Sequence, residues 1–305
     1  MHPILIVLLL FALMQLRRYR SMMYKKINRF MRPNPPVPEK YTIASAPASV
    51  PGRNQRIPLI IHQIMHSRTL PLDLYSTCLA NRHMNPEYEY RTYTLSGGPG
   101  NLSPEVEAFA REHFTPDHAD ALRKLIPGAF RADLLRCMLL YRHGGVYIDT
   151  KATTMIPLRE MIDPESRLTA FLDYVPNCIH NGFVAAEPNH PLIGRVIDRI
   201  VRNVQRGYYG ECQLDITGPM VWGREFNLMR GKSERYEFCE GSYPDQGVDL
   251  IGSFLTLQTH QVLMRSDNVP CVNRSVPGYY SVAKQLHPDN YSVRWYTGRV
   301  YAKET

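Results

Sequence analysis

The feature that most constrains this chain is Arg131-Ala-Asp-Leu-Leu-Arg136 followed, past a few more apolar residues, by Gly144-Gly-Val-Tyr-Ile-Asp-Thr-Lys151. The stretch Phe130–Tyr141 contains no β-branched residue, and Leu134, Leu135, Met138 and Leu139 fall on one broad stripe, so it reads as a helix. Gly144-Gly145 stops that helix, and Val146–Ile148 reads as a short buried strand. Strand alternation puts Tyr147, Asp149 and Lys151 on one side and Val146 and Ile148 on the other. A phenol, a carboxylate and an ammonium thus project together from a strand end, which is where open α/β sheets bind ligands.

The neighbouring segments support such a sheet. Ile57–Ile64 and Tyr88–Thr94 read as strands, Leu72–Arg82, Pro104–His113 and Asp117–Leu125 as helices. Leu168–Asp173 and Phe183–Ala186 read as further strands and Leu192–Val204 as a helix. This alternation implies an α/β fold with a mostly parallel, doubly covered central sheet. Beyond about residue 230 the pattern turns irregular and polar, and Glu240–Gln246 reads as a loop.

The charge is concentrated before the body begins. Of a formal net charge of +8, seven positive residues (Arg17, Arg18, Arg20, Lys25, Lys26, Arg29, Arg32) precede the first acidic one, Glu39. The remainder is only slightly basic, which argues against a nucleic-acid partner and suits a basic collar at lipid headgroups. Residues 3–16 are an uncharged apolar run, shorter than the roughly 20 residues of a usual spanning helix, with no small-residue cleavage site behind it. A membrane-associated protein with a short N-terminal anchor is expected. The flanking charge favours a cytoplasmic body, whereas sequons at Asn101, Asn273 and Asn290 favour the lumen of the ER or Golgi. Residues 33–56 carry six prolines and no periodic apolar pattern. The expected domains are therefore an anchor and basic flank over 1–20, a stem or linker over 21–56 and a catalytic body over 57–305. Six cysteines stand singly with no Cys-x-x-Cys pair, so a zinc knuckle is not supported, and Cys137 reads as a core residue.

Two charged pairs could carry chemistry. Asp133 and Arg136 share a face of an otherwise apolar helix. An ordinary ion pair is the plain reading, but charges in apolar surroundings are costly unless paired or used, and the pair suits sugar hydroxyls. Asp149 alone could equally be a turn former.

At these residues the chain resembles glycosyltransferase family 32 and its relatives, sugar-nucleotide transferases with a DXD motif that are distantly related to the clostridial glucosylating toxins. The matching pattern is RADLLRCMLLYRHGGVYIDTK, preceded by Ile57-Pro-Leu-Ile-Ile-His-Gln-Ile64 and Asn85-Pro-Glu-Tyr-Glu-Tyr90. Asn181-Gly-Phe183, His190-Pro191 and Thr217-Gly-Pro219 follow in order, so the resemblance covers about residues 57–222. It implies a GT-A type, Rossmann-like nucleotide-diphospho-sugar transferase fold. It also implies a hexosyltransferase that moves sugar from a UDP- or GDP-sugar to a glycan or glycoprotein hydroxyl with retention of configuration. The alternative is an inactive relative that binds sugar nucleotide or glycan. Carried over residue by residue, Asp133 and Arg136 would hold the donor sugar with Arg131 beside them. Tyr147 and Asp149 would contact nucleoside and ribose, Ile64 and Met65 would line the base pocket, and Asn181 would lie near the acceptor side. Trp295 would close over the diphosphate.

Two positions depart from the family. Met65 stands where a base-stacking tryptophan is usual, and Lys151 replaces the second aspartate, which ligates Mn²⁺ or Mg²⁺. A divalent ion at such a site neutralises the leaving diphosphate. Lysine cannot ligate a hard cation but can bring positive charge to the same phosphates. Three accounts follow: Lys151 replaces the metal's charge, a metal persists on Asp149 with a distant ligand such as Asp245 or His287, or the site is catalytically dead.

Overall fold

The computed structural model describes residues 40–95, 100–257, 260–274 and 290–302. The apolar run at 3–16, the basic flank and His287 lie outside them. The described residues fall in one compact unit that begins at Lys40, and among them no helix is long and apolar enough to cross a membrane.

In chain order, β1 (Lys40–Thr42), β2 (Ile60–Met65) and β3 (Thr69–Pro71) precede α1 (Leu72–Met84) and β4 (Glu89–Thr94). Next come α2 (Pro104–His113), α3 (Pro116–Lys124) and α4 (Gly128–His143), then β5 (Gly145–Ile148), β6 (Thr153–Thr154) and α5 (Leu158–Met161). β7 (Leu168–Leu172) and β8 (Ile179–Ala186) lead to α6 (Pro191–Gln205) and α7 (Pro219–Met229). β9 (Gly241–Tyr243), β10 (Val248–Leu257), β11 (His260–Arg265), β12 (Pro270–Asn273) and α8 (Tyr291–Tyr296) complete the described chain.

The main sheet runs β4-β2-β5-β8-β7-β10-β11-β12-β6, with β9 paired to β10. Its two faces bury separate cores, as period-two alternation demands. Tyr147 and Val184 join the helices α2, α3, α4, α6 and α7 on one face. Val146, Ile148, Phe183 and Ala185 pack with Cys78 of α1 and Leu158 of α5 on the other. The expected α/β class and double covering are present. The expectation of a mostly parallel sheet is corrected: β2 pairs parallel with β4 and β5, and β10 with β7, but the remaining pairings are antiparallel. β8 is antiparallel to both its neighbours because the connection from β7, a loop over residues 173–178 with no crossover helix, returns the chain between β7 and β5.

Two further expectations change. The part of the proline-rich stretch from residue 40 to 56 belongs to the body. β1 pairs antiparallel with β3, Ala46 exchanges two backbone hydrogen bonds of 2.8 Å with Tyr90, and Ile43 is buried. The polar region after residue 230 is the second half of the sheet rather than irregular chain, with β9 inside the segment expected as a loop.

The helix-to-strand junction at the centre is built by glycine. Gly144 and Gly145 have φ of 63° and 96°, and a Cβ on Gly145 would come within 2.6 Å of the Ile60 carbonyl. The buried His62 ring of β2 sits with Nε2 2.9 Å from the Gly144 carbonyl, donating to it, and burial pushes its pKa down to about 3, so the ring is neutral there. β2 therefore clamps the turn that launches β5.

Candidate active site

Asp149 leaves the carboxyl end of β5 and is held by the next strand, its amide donating to Gly182 O at 2.9 Å. At that point β8 is irregular: Ala170 of β7 pairs with Val184 but Phe171 pairs with His180, so residues 181–183 bulge on the β7 side. Bulges re-aim side chains beside functional sites. This one turns Asn181 towards α4, where its Nδ2 donates to Asp133 Oδ1 at 2.9 Å. Gly182 leaves the space beside Asp149 open, since a Cβ there would lie 2.9 Å from Asp149 Oδ2 and 2.8 Å from His180 Nε2.

Asp133 and Arg136 form the expected i,i+3 pair at 3.0 Å. Thr217 Oγ1 donates to Asp133 Oδ2 at 2.7 Å, so both carboxylate oxygens are engaged. Arg136 also donates to the Asn181 carbonyl, lies 3.5 Å from Asp149 Oδ1 and covers the Tyr147 ring at 4.3 Å. Burial pushes the Asp133 carboxyl up to about 6, against the pull of Arg136 and the two hydrogen-bond donors.

Tyr147 donates to Asp149 Oδ1 at 3.0 Å, so the two share one side of β5 as the alternation implied. Lys151 Nζ and Arg274 Nη2 approach Asp149 Oδ2 at 3.5 and 3.7 Å. Burial alone would raise the Asp149 pKa, but Lys151, Arg136 and Arg274 together hold it well below the usual carboxylate range. Burial lowers the Lys151 pKa and Asp149 opposes that shift.

These groups line a cleft of about 840 Å³ that includes Asp133, Arg136, Asp149, Lys151, Asn181 and Arg274. Its far walls are Gln213, Leu214 and Gly218 before α7, Phe254 of β10, and Asn290, Tyr291 and Ser292 at the start of α8. His180 enters from β8 with Nδ1 2.9 Å from Asp173 Oδ2, and its buried Nε2 has no hydrogen-bond partner among the described residues. Burial lowers its pKa to about 4, so the ring is neutral at pH 7 and Nδ1–H donates to Asp173.

Several residues expected at the donor do not line this cleft. Ile64 and Met65 are buried at the end of β2 in the two cores, and neither lines the cleft. Tyr147 lies beneath the cleft and acts on it through Asp149. Arg131 points towards the Asn101 carbonyl, 3.2 Å away, from the same helix as Asp133. Trp295 donates its indole N–H to Tyr209 O at 2.7 Å and packs on the core. Asp245 is exposed and outside the cleft.

Residue-by-residue reading missed His180, Asp173, Arg274 and Tyr291. His180 had a signal, a second polar residue beside Asn181 within an apolar strand. Asp173 had one too, an acid ending an apolar run as Asp149 does. Arg274 sits in the half of the sheet whose strands were not legible.

Among the described residues no group of three or more His, Cys, Asp or Glu side chains is placed to hold a metal ion. Asp149, the acid at the DXD position, is bordered by three cations. A hard divalent ion needs several oxygen ligands, so the described side chains around Asp149 do not fit one.

Comparison with known proteins bears on this arrangement. The family described as "Glycosyltransferase sugar-binding region containing DXD motif" matches residues 74–169. Mannosyl phosphorylinositol ceramide synthase CSH1 of Saccharomyces cerevisiae is 25% identical over 175 residues, 55% of this chain and 43% of the relative. Inositol phosphoceramide mannosyltransferase 1 of Schizosaccharomyces pombe is 24% identical over 177 residues, 56% of this chain and 52% of the relative. The chain thus spans about half the length of the curated relatives it matches. Among solved structures, PaToxG glycosyltransferase is similar with a TM-score of 0.47 and 19% identity, over 57% of this chain and 70% of that one. The glycosyltransferase domain of the YGT toxin gives 0.38 and 12%, over 50% and 64%. The helix, turn and strand that carry Asp133, Arg136 and Asp149 lie inside the matched segment, so the part of the chain that builds the cleft is similar to glycosyltransferase sugar-binding regions containing the DXD motif.

Proposed function

We propose that the protein transfers a hexose, mannose in the first instance, from a nucleotide-diphosphate sugar to a hydroxyl of a glycan or of a glycolipid headgroup. The observation that supports this most is the convergence of Asp133, Arg136, Asn181 and Asp149 on one cleft at the strand ends. Asp133 and Arg136 offer a fixed acceptor and donor for sugar hydroxyls, and the Asp149 side offers cations to the diphosphate. The mannosyltransferase names of the relatives favour mannose and a phosphoinositol-type lipid acceptor.

In the transfer, the bond from the anomeric carbon to the diphosphate oxygen breaks and its electron pair stays on the departing phosphate. The acceptor oxygen bonds to the anomeric carbon, and its proton passes to the nucleoside diphosphate. Positioning and stabilisation of the leaving charge are the main demands. Each carboxylate of the cleft among the described residues is already engaged by donors or cations: Asp133 by Asn181 and Thr217, Asp149 by Tyr147 and Lys151, Asp173 by His180. That favours retention of configuration, which needs no separate general base. The apolar run at residues 3–16 would hold the body at the membrane that carries a lipid acceptor.

The test is transfer from GDP-mannose and from UDP-hexoses to an inositol phosphoceramide and to mannosyl oligosaccharides, with nucleoside diphosphate release as the readout. Transfer to one of them, lost in Asp149→Asn, supports the proposal. Donor binding without release or transfer under any condition would instead make the chain a binding relative.

A further inference from the structure

The metal question and the charge of the cleft have one answer. Asp133 is matched by Arg136 at 3.0 Å and also accepts from Asn181 and Thr217. Asp173 is held by His180 on one oxygen and by the Val175 amide at 3.2 Å on the other. Among the described residues of the cleft that leaves Asp149 as the anion shared by Lys151 and Arg274, both on Oδ2. A divalent ion bound to that oxygen at about 2.0–2.6 Å would sit against an ammonium and a guanidinium, with no second carboxylate available to it among the described residues of the cleft.

The two cations are positioned as anion ligands. Lys151 sits in the turn after β5, its side chain 21% exposed and so open to the cleft. Arg274 follows β12, its side chain 13% exposed, with the guanidinium 4.9 Å from the centre of the Phe254 ring. The buried Nε of Arg274 has no hydrogen-bond partner among the described residues, a donor left over in a polar cleft. Arginine presents its donors in a fixed fork that matches phosphate oxygens, and lysine acts as a point charge.

The geometry points to a metal-free diphosphate site, in which Lys151 and Arg274 bind the two phosphates of the donor and take up the charge that a divalent ion neutralises in related sites. The assignment rests on the proposed glycosyl transfer for the identity of the diphosphate. Asp149 is then a positioning residue: it holds the two cations before the donor arrives and leaves them the charge to bind it.

The experiment measures binding of GDP, UDP and the corresponding nucleosides to the full chain by calorimetry, in EDTA and again with Mn²⁺. Expected is binding of a nucleoside diphosphate that differs by less than about twofold between the two conditions, while the nucleoside binds more weakly. Lys151→Met and Arg274→Met should each weaken the diphosphate by about tenfold or more and leave the nucleoside unchanged. Lys151→Arg should retain most of the affinity, which separates lost charge from lost folding. Lys151→Asp, which restores the acidic pair, should bind only with Mn²⁺. Wild-type binding that vanishes in EDTA and returns with Mn²⁺ would overturn the inference while leaving glycosyl transfer in place. Equal affinity in both methionine variants would overturn it as well. Failure of every nucleoside diphosphate to bind under either condition would remove the functional reading beneath it.

Discussion

Asp133 sits where a small change in protonation alters the site. Its carboxylate accepts from Asn181 and Thr217 and pairs with Arg136, and burial raises its pKa to about 6. Above that pH it is an anion that can accept from a sugar hydroxyl and keep Arg136 in register; below it the pair is broken. The transfer rate should therefore fall by about tenfold per pH unit below pH 6, one proton per site. Asp133→Asn keeps the shape but removes the charge, and should flatten this limb at a rate lower by on the order of a hundredfold, the typical cost of a misplaced reactant. A profile of kcat/KM from pH 5 to 8 for both proteins checks this; an unchanged acid limb in the variant would assign it to another group. The sign for stability runs the other way. A folded-state value above the ordinary carboxylate value favours the neutral form, so this contribution is complete at low pH and is lost as pH rises through about 6. The residue is therefore held charged for use at some cost to the fold.

The elements explain what could be read in the sequence. The helix over α4, the Gly144-Gly145 stop and the Tyr147–Asp149 side of β5 were legible because each rests on a local rule: helical spacing, positive φ and period-two alternation. The antiparallel insertion of β8 was not, because nothing local distinguishes a strand that pairs forward from one that pairs back. The strands β10 to β12 were missed for a different reason. Val248, Leu250, Gly252 and Phe254 do alternate inward, but the polar partners and nearby turns diluted the pattern. Arg274 could not be placed without them. The turn bearing Lys151 also depends on a remote element. Asn81 of α1 donates to Ala152 O at 2.7 Å and accepts from Thr154 N at 2.8 Å, tying the chain just after Lys151. Asn81→Ala leaves a buried amide and a buried carbonyl without partners, and should cost about 2–4 kcal/mol of unfolding free energy. Urea denaturation should record that loss, and nucleoside diphosphate affinity should fall with it as the turn loosens. Asn81→Asp, which keeps the acceptor for Thr154, should lie between the two.

At the scale of the molecule, the chain returns from its C-terminal end to complete the cleft. Ile126 donates to Val300 O and Ala302 to Lys124 O, each at 2.8 Å, and Val300 is fully buried. This anchors α8, whose Asn290, Tyr291 and Ser292 form one wall of the cleft. Tyr291 packs against Phe130 of α4 with ring centres 5.8 Å apart, so the wall rests on the helix that carries Asp133 and Arg136. Trp295, one turn further on, does not line the cleft, its indole N–H bonded to Tyr209 O. The two aromatics should therefore separate under mutation. Trp295→Phe keeps the ring and loses one hydrogen bond, which should cost about 1–3 kcal/mol of stability because the Tyr209 carbonyl loses its indole donor. Nucleoside diphosphate affinity should change by less than about twofold, because the indole meets no ligand. Tyr291→Ala removes cleft wall and should weaken the donor sugar nucleotide by about tenfold. Calorimetry and thermal melting on both variants decide it. A Trp295→Phe protein that melts normally but binds the diphosphate tenfold more weakly would move the tryptophan into the site and place α8 as a segment that turns over the donor when it binds.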